Sequence, residues 1–326
     1  MNARNTDVLI VGAGPAGLAL AASLARQGVD AVVVDRVATG ANTSRAAVVH
    51  ARTLEVLRTI DASEELVSRG VKVPRFTVRD RGRVLLTVDF DQLPTDFPYT
   101  LMVPQDVTEQ VLLDRLRAAG GDVTRPCEIV SVEQDADGVT ATGAAGEVFR
   151  ARYAVAADGM HSTVREHTGI SFTGDTYAQS FVLADVRLAE GAVRDEVNLY
   201  FDPAGLTVLA PLPGGRHRIV ATVDEAPEHP DAATMQGLLT ARGLPAEVTE
   251  LVWSSRFRVH HRLADHYRAG RIFLAGDAAH VHSPAGGQGM NTGIQDALHL
   301  ADKLTAVVRD NAPDTVLDAY EAERRP

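Results

Sequence analysis

Gly12, Gly14 and Gly17, followed by Asp35, form the first pattern in the chain whose spacing implies chemistry. Between a strand and a helix, such glycines permit a tight turn, close approach of backbone to a pyrophosphate, and tight packing of helix on strand. The first helical amides and the helix dipole then favour an anion. Pro15 and Ala16 complete the turn. Asp35 closes a second apolar strand, 18 residues after Gly17, where a carboxylate accepts from an adenosine ribose and repels a 2'-phosphate; Arg36 follows it. The pattern implies a dinucleotide, with FAD or NAD fitting better than NADP. The competing account is a plain βαβ turn.

A second dense segment runs from Gly276-Asp277 through Pro284, Gly286, Gly287, Gly289, Met290 and Asn291 into an apolar-faced helix. Asp277 can accept from a sugar-alcohol hydroxyl, and the amides of residues 287–291 can converge on an acceptor that becomes anionic. His280 and His282 lie inside it, but no carboxylate or thiolate recurs at ligand spacing, so they read as loop histidines and no metal site is expected. A third segment, Asp158-Gly159-x-x-Ser162-x-x-Arg165, reads as a turn with Ser162 capping a short helix; taken alone it is equally a common Asp-Gly turn.

The elements that must position these residues follow from periodicity. Val8 to Val11, a helix from Pro15 to Gln27 ended by Gly28, and Val32 to Val34 make a parallel β-α-β unit. A helix is expected around Arg52 to Ile60, and alternating strands over Val73 to Asp91. Asp106-Val107-Thr108-Glu109 has capping-box spacing and predicts a helix through Arg117. Residues 180–259 read as strands punctuated by turns, an antiparallel sheet with one covered face. Residues 271–275 read as a buried strand before a helix presenting Ile294, Leu298, Ala301 and Leu304.

Composition narrows the classes. The chain has 326 residues, enough for about two domains without staples. Its net charge of -11 argues against general nucleic-acid or anionic-membrane binding, which needs clustered cations. The preponderance of arginine over lysine reads as coding bias. Cys127 is the only cysteine, so no internal disulfide forms, in keeping with a reducing, cytoplasmic setting. The apolar stretch from Val8 to Ala25 is broken by Gly12, Gly14, Pro15 and Gly17, and is a strand-turn-helix start rather than a membrane span or signal core.

Together the three motifs resemble those of the FAD-dependent group A aromatic hydroxylases, especially flavoprotein hydroxylases of aromatic polyketides and related antibiotics, and the resemblance covers nearly the whole chain. It implies an α/β fold: a discontinuous Rossmann-like FAD-binding domain (1–71, 101–171 and 260–326), interleaved with a mostly antiparallel β-sheet substrate domain (72–100 and 172–259). By that resemblance Gly12, Gly14 and Gly17 hold the FAD pyrophosphate and Asp35 the adenosine ribose, although a glutamate is more usual there. Asp158, Gly159 and Arg165 form the second fingerprint, serving FAD and nicotinamide. Gly276 and Asp277 meet the ribityl chain, and Pro284 with residues 287–291 sits beside the isoalloxazine. Arg45 resembles the arginine near the pyrophosphate, and Gln105 the glutamine near the ribityl chain.

The activity implied is hydroxylation of a small aromatic substrate with NAD(P)H and O2 through a flavin C4a-hydroperoxide. NAD(P)H acts as a transient co-substrate, since no second glycine fingerprint is present. Tyr177, Tyr200, Arg216 and His217 fall in the expected substrate sheet, but no catalytic base is assigned. Family members continue beyond the position of Pro326 into further helices, so the expected C-terminal extension is taken as absent. Three other readings compete. A halogenase of the same frame needs a lysine and a Trp-rich motif that Lys72, Lys303 and the single Trp253 do not make. An NAD-dependent dehydrogenase leaves two motifs unexplained. The third is a non-catalytic or partner-dependent flavin-binding protein.

Overall fold

The computed structural model describes residues 3–40, 46–80, 83–189, 195–244, 246–282 and 286–325. Among these, the first sheet has the order β17 (Arg268–Ala269), β18 (Ile272–Leu274), β11 (Val148–Ala156), β1 (Arg4–Val11), β2 (Ala31–Val34), β8 (Val123–Thr124). β10 (Val139–Gly143) and β9 (Ile129–Gln134) fold back from β11. From β18 to β8 all neighbours run parallel, so their carboxyl ends share one edge. The β-branched runs Val8 to Val11 and Val32 to Val34 are almost completely buried, as expected for parallel strands covered on both faces.

Helix α1 (Pro15–Arg26) packs against both α4 (Gln105–Ala118) and α7 (Gln288–Val308). Its Leu18, Leu20 and Leu24 are buried, as are Ile294, Leu298, Ala301 and Leu304 of α7. Each of these leucine and isoleucine side chains contributes about 1.5–3 kcal/mol of transfer free energy. Helix α4 departs from the predicted capping box. It starts at Gln105 with Pro104 as N-cap and no side-chain cap bond. Glu109 is instead drawn to Gln105, whose Nε2 donates to its Oε1 at 2.8 Å, because a side chain four residues on lies on the same helical face.

The second sheet runs β19 (His280–Val281), β16 (Val248–Ala264), β12 (Phe172–Leu188), β15 (Arg216–Val223), β14 (Gly205–Leu212), β13 (Glu196–Asp202), β5 (Arg75–Asp80), β6 (Arg83–Asp89). Its neighbours are antiparallel except the parallel pair β13 and β5. One face is covered by α6 (Ala232–Ala241), whose Met235 and Leu239 pack on Val182, Ala184, Ile219 and Ala221. This helix lies inside the stretch read as β-rich, where no helix was expected. Asp231 nucleates it by accepting from Thr234 N at 2.7 Å, a local signal that the surrounding alternation obscures.

A small sheet of β3 (Val48–Val49), β7 (Thr100–Met102) and β4 (Val71–Val73) adjoins these, together with α2 (Ala51–Leu57) and α3 (Ser63–Arg69). Beyond Leu57 the expected single helix tightens into a 3-10 turn, Arg58–Ile60, ended by Asp61 in the left-handed region. α5 (Thr163–Thr168) and α8 (Asp318–Arg324) complete the set. No helix among the described residues is long and apolar enough to cross a membrane.

His280 is not a solvent-facing loop residue. It is buried in β19, where its Nε2 donates to Asp296 Oδ2 at 2.5 Å, and Arg324 Nε of α8 donates to Asp296 Oδ1 at 2.7 Å. Asp296 is fully buried and ties β19, α7 and α8 together. Removing one member leaves an uncompensated buried charge. Asp296→Ala is therefore expected to lower unfolding free energy by about 3–5 kcal/mol, read from urea denaturation. An unchanged midpoint would contradict this role.

Candidate functional site

The three sequence motifs meet at the carboxyl edge of the first sheet. In strand order the edge carries Gly276-Asp277 after β18, Asp158-Gly159 after β11, Gly12 to Gly14 after β1, and Asp35-Arg36 after β2. The crevice at the carboxyl ends of parallel strands is where open α/β sheets bind ligands.

The glycine turn is held by close contacts. Gly12 has φ +104°, and a Cβ there would stand 2.2 Å from Ala157 O; a Cβ on Gly17 would stand 2.0 Å from Gly12 O. Neither position accepts another residue. At Gly14, by contrast, no non-adjacent atom of the described residues lies within 4 Å of where a Cβ would be. Helix α1 begins there with Pro15 at N1, no side-chain cap and no acid in its first turn. The amides of Ala16 and Gly17 thus lack helical partners, a donor set that fits a diphosphate. Asp35 contributes more than an isolated acceptor: its Oδ2 accepts from Ala13 N at 2.6 Å and its Oδ1 from Val37 N at 2.8 Å. It therefore fixes the turn, while each carboxylate oxygen keeps a further lone pair for a ribose hydroxyl. Arg36 is exposed beside it.

The second motif folds as its spacing predicts. Ser162 Oγ accepts from Arg165 N at 2.9 Å and caps α5. Arg165 is 5% exposed: Nη1 donates to Ala278 O and Nη2 to Met160 O, both at 2.8 Å, with the guanidinium 3.9 Å from the Phe172 ring centroid. Its role is to fasten the second motif to the third. Asp158 Oδ2 accepts from Val164 N at 3.3 Å, whereas its buried Oδ1 has no partner, and Gly159 turns at φ +84°. An orphaned buried acceptor at this edge fits a ligand hydroxyl.

At the third motif, Gly276 packs on the first turn of α1, 3.0 Å from Ala16 Cβ at its would-be Cβ. Asp277 is exposed in the 3-10 turn that follows. Gly287 is the N-cap of α7, which has no side-chain cap and no acid in its first turn, so the amides of Gln288, Gly289 and Met290 are unpaired by the helix. The Asn291 side chain is spent on structure. Oδ1 accepts from His50 N, while Nδ2 donates to Val48 O and Gly287 O, each at 2.8 Å. Gln105 Oε1 accepts from Ala46 N at 3.3 Å. Arg45 and Pro284 lie outside the described residues, as does the Tyr177 side chain. Tyr200 is half-buried and His217 buried in the second sheet, and Arg216 Nε donates to Pro213 O at 3.1 Å.

Of two further neighbours of this edge, Arg125 was not singled out from sequence and Glu109 was read only as a capping-box residue. Arg125 follows β8, and its Nη2 donates to Ala13 O at 3.3 Å; Glu109, 8% exposed, faces it from α4. The available signal was Arg125's place directly after a parallel strand.

Burial raises the Asp158 carboxyl above the ordinary carboxylate range, against the smaller opposing effects of its Ser162 and Val164 bonds. A carboxyl whose pKa is higher folded than unfolded costs stability while ionised, and the cost disappears as pH falls through the folded value. Asp158→Asn is expected to be more stable than the parent at neutral pH, with the gap closing toward acid. Parallel thermal melts across pH would reveal a constant gap if this is wrong.

Comparison with known proteins agrees with this geometry. A family model described as FAD binding domain matches residues 5–326. The chain is 44% identical to 6-methylpretetramide 4-monooxygenase of Streptomyces rimosus over 98% of its own length and 59% of that relative. It therefore spans little more than half of that protein. Among solved structures, p-nitrophenol 4-monooxygenase from Pseudomonas putida superposes with TM-score 0.88 at 31% identity, covering 99% of this chain and 85% of the other. A ternary complex of aklavinone-11 hydroxylase with FAD and aklavinone superposes with TM-score 0.83 at 32% identity, over 100% and 66%. The family match runs through both sheets rather than along one motif, and on that extent the chain belongs to the FAD binding domain family.

Proposed function

We propose that the protein is an FAD-dependent monooxygenase that hydroxylates an aromatic, polyketide-like substrate with NAD(P)H and O2. The observation that carries the reading is the meeting of three sequence-distant motifs on one carboxyl edge, with an uncapped α1 N-terminus opening on clear space at Gly14. Relatives named as monooxygenases and a hydroxylase support the reaction class. In the overall reaction one oxygen atom of O2 replaces a ring hydrogen as hydroxyl. The other leaves as water, taking up the hydride equivalent of NAD(P)H, two electrons and one hydrogen, together with a proton. Bound FAD supplies the redox chemistry; the protein supplies binding, orientation and electrostatics.

In this reading, residues 1–71, 101–171 and 260–326 hold FAD and residues 72–100 and 172–259 receive the substrate. The Gly12 to Gly17 turn and the α1 amides take the diphosphate, and Asp35 the ribose. Asp158, Gly159 and Asp277 accept from hydroxyls toward the flavin. Arg165 acts by position, holding the Asp158 and Asp277 turns at a fixed offset through Ala278. The α7 amides from Gln288 to Met290 offer donors to an acceptor that gains negative charge on reduction. Asn291 holds that helix start against Val48 and His50. Apolar residues of the second sheet exclude water from the ring.

The decisive experiment is expression, reconstitution with FAD, and a panel of aromatic polyketides assayed for NAD(P)H oxidation and, by mass spectrometry, for a gain of one oxygen atom. A yellow protein with substrate-stimulated oxidation and a hydroxylated product is expected. FAD uptake without oxygenation of any aromatic compound would favour a flavin-binding protein without turnover, and failure to take up FAD would sink the reading. Asp277→Ala is expected to weaken FAD binding by about 1–3 kcal/mol through loss of a hydroxyl partner. Flavin fluorescence titration reads this directly, and equal affinities would remove Asp277 from the site.

A further inference from the structure

The carboxyl edge has one more member than the motifs account for. β8 pairs parallel with β2 through Val33–Val123 and Val34–Thr124, and the chains stay joined beyond the strands: Asp35 N donates to Thr124 O at 3.1 Å and Cys127 N to Asp35 O at 2.7 Å. Arg125 therefore stands beside Asp35 at the same edge, on the side away from Asp158 and Asp277. Its Nη2 donates to Ala13 O at 3.3 Å, inside the glycine turn, while its Nε is buried with no partner among the described residues. Gly40 closes the same space: a Cβ there would lie 3.7 Å from Glu109 Oε2 and 3.8 Å from Arg125 Nη1.

The charges explain why a cation is needed. Asp35 and Glu109 both border this end of the crevice, and either carboxylate repels a phosphate. Glu109 is partly relieved, since burial raises its carboxyl pKa, with Gln105 and Arg125 opposing that rise. Arg125 offsets the acids and retains an unused donor, and a guanidinium suits a phosphate better than an ammonium does because its donors form a fixed fork.

We propose that Arg125 binds the adenylyl phosphate of the dinucleotide, making the end of β8 the cationic half of a nucleotide site whose acidic half is Asp35. The inference rests on the FAD reading above and adds a residue to it. A diphosphate held at the glycine turn would lie next to Ala13, whose carbonyl Arg125 Nη2 already reaches at 3.3 Å. Riboflavin-side contacts, at Asp158, Asp277 and α7, are untouched by it.

The test compares FAD with FMN, which lacks the adenylyl group, on apoprotein by flavin fluorescence quenching. Arg125→Met, which keeps the aliphatic stem, is expected to lower FAD affinity about 10- to 100-fold, as for a charged hydrogen bond lost, and to leave FMN affinity within about two-fold. ADP as competitor should weaken in parallel with FAD. Equal FAD affinity in parent and variant overturns the assignment, and so does an equal loss for FAD and FMN, which would mean collapse of the whole turn. If Arg125→Met does not fold, Arg125→Lys keeps the charge but not the fork; a selective FAD loss of about 3- to 10-fold supports the assignment and none overturns it. A parent protein that binds ADP but not FAD refutes the flavin reading while leaving the phosphate contact measurable through ADP. A parent that binds neither overturns both.

Discussion

The buried guanidinium of Arg165 is the interaction on which the geometry of the edge depends. Removing a cation from water is costly unless its donors are satisfied, and here two carbonyls, Ala278 O and Met160 O, and the face of Phe172 do so. Those partners belong to three segments, two flanking α5 and the third 113 residues beyond Arg165. The turn after β11, the turn after β18 and the start of β12 therefore cannot shift independently. Steric contacts continue the chain of constraint: Gly12 rests against Ala157, Gly17 against Gly12, and Gly276 against Ala16. Acceptors at Asp158 and Asp277 are consequently placed by packing rather than by flexible side-chain choice.

Arginine does this work repeatedly. Arg218 meets Asp185 with two bonds, at 2.7 and 2.9 Å, wholly inside the second sheet, and Arg242 Nη1 donates to Leu206 O at 2.9 Å. Arg324 completes the buried Asp296 network. Each uses the planar fork to reach two groups or to join two elements, which a lysine point charge does less well. The arginine-rich composition, read from sequence as coding bias, is thus also put to structural use. The acidic net charge coexists with cations held inside, where they bind backbone carbonyls and buried carboxylates.

Local rules were readable wherever a single segment determines the outcome. The glycine turn, the Ser162 cap, the apolar face of α7 and the two-residue period of β12 to β15 all depend on neighbours within a few positions. Other features required the tertiary structure. The Asp106 to Glu109 spacing suggested a capping box, but burial draws Glu109 toward Arg125 and Gln105. Asn291 sits in a run singled out for its backbone amides, and only the fold shows its side chain joining Val48, His50 and Gly287. His280 read as a loop histidine because its buried partner, Asp296, lies 16 residues on and across an element boundary. Arg125 carried no motif at all, and only strand order brings it beside Asp35.

β12 and β16 are each 17 residues long, and they pair from Phe172–Ala264 onward. Residues 173–263 thus leave and re-enter the rest of the fold through one hydrogen-bonded ladder, with start and finish side by side. An excursion closed in this way behaves as a cassette: its interior can lengthen, shorten or be exchanged with little added closure entropy, provided the Phe172 and Ala264 ends still meet. The β5–β6 hairpin, supplied from elsewhere in the chain, limits that freedom, since any replacement must still present an edge like β13 for β5 to join. Diversification of such a scaffold is then expected to concentrate inside this cassette, while the edge that holds the glycine turn stays unchanged.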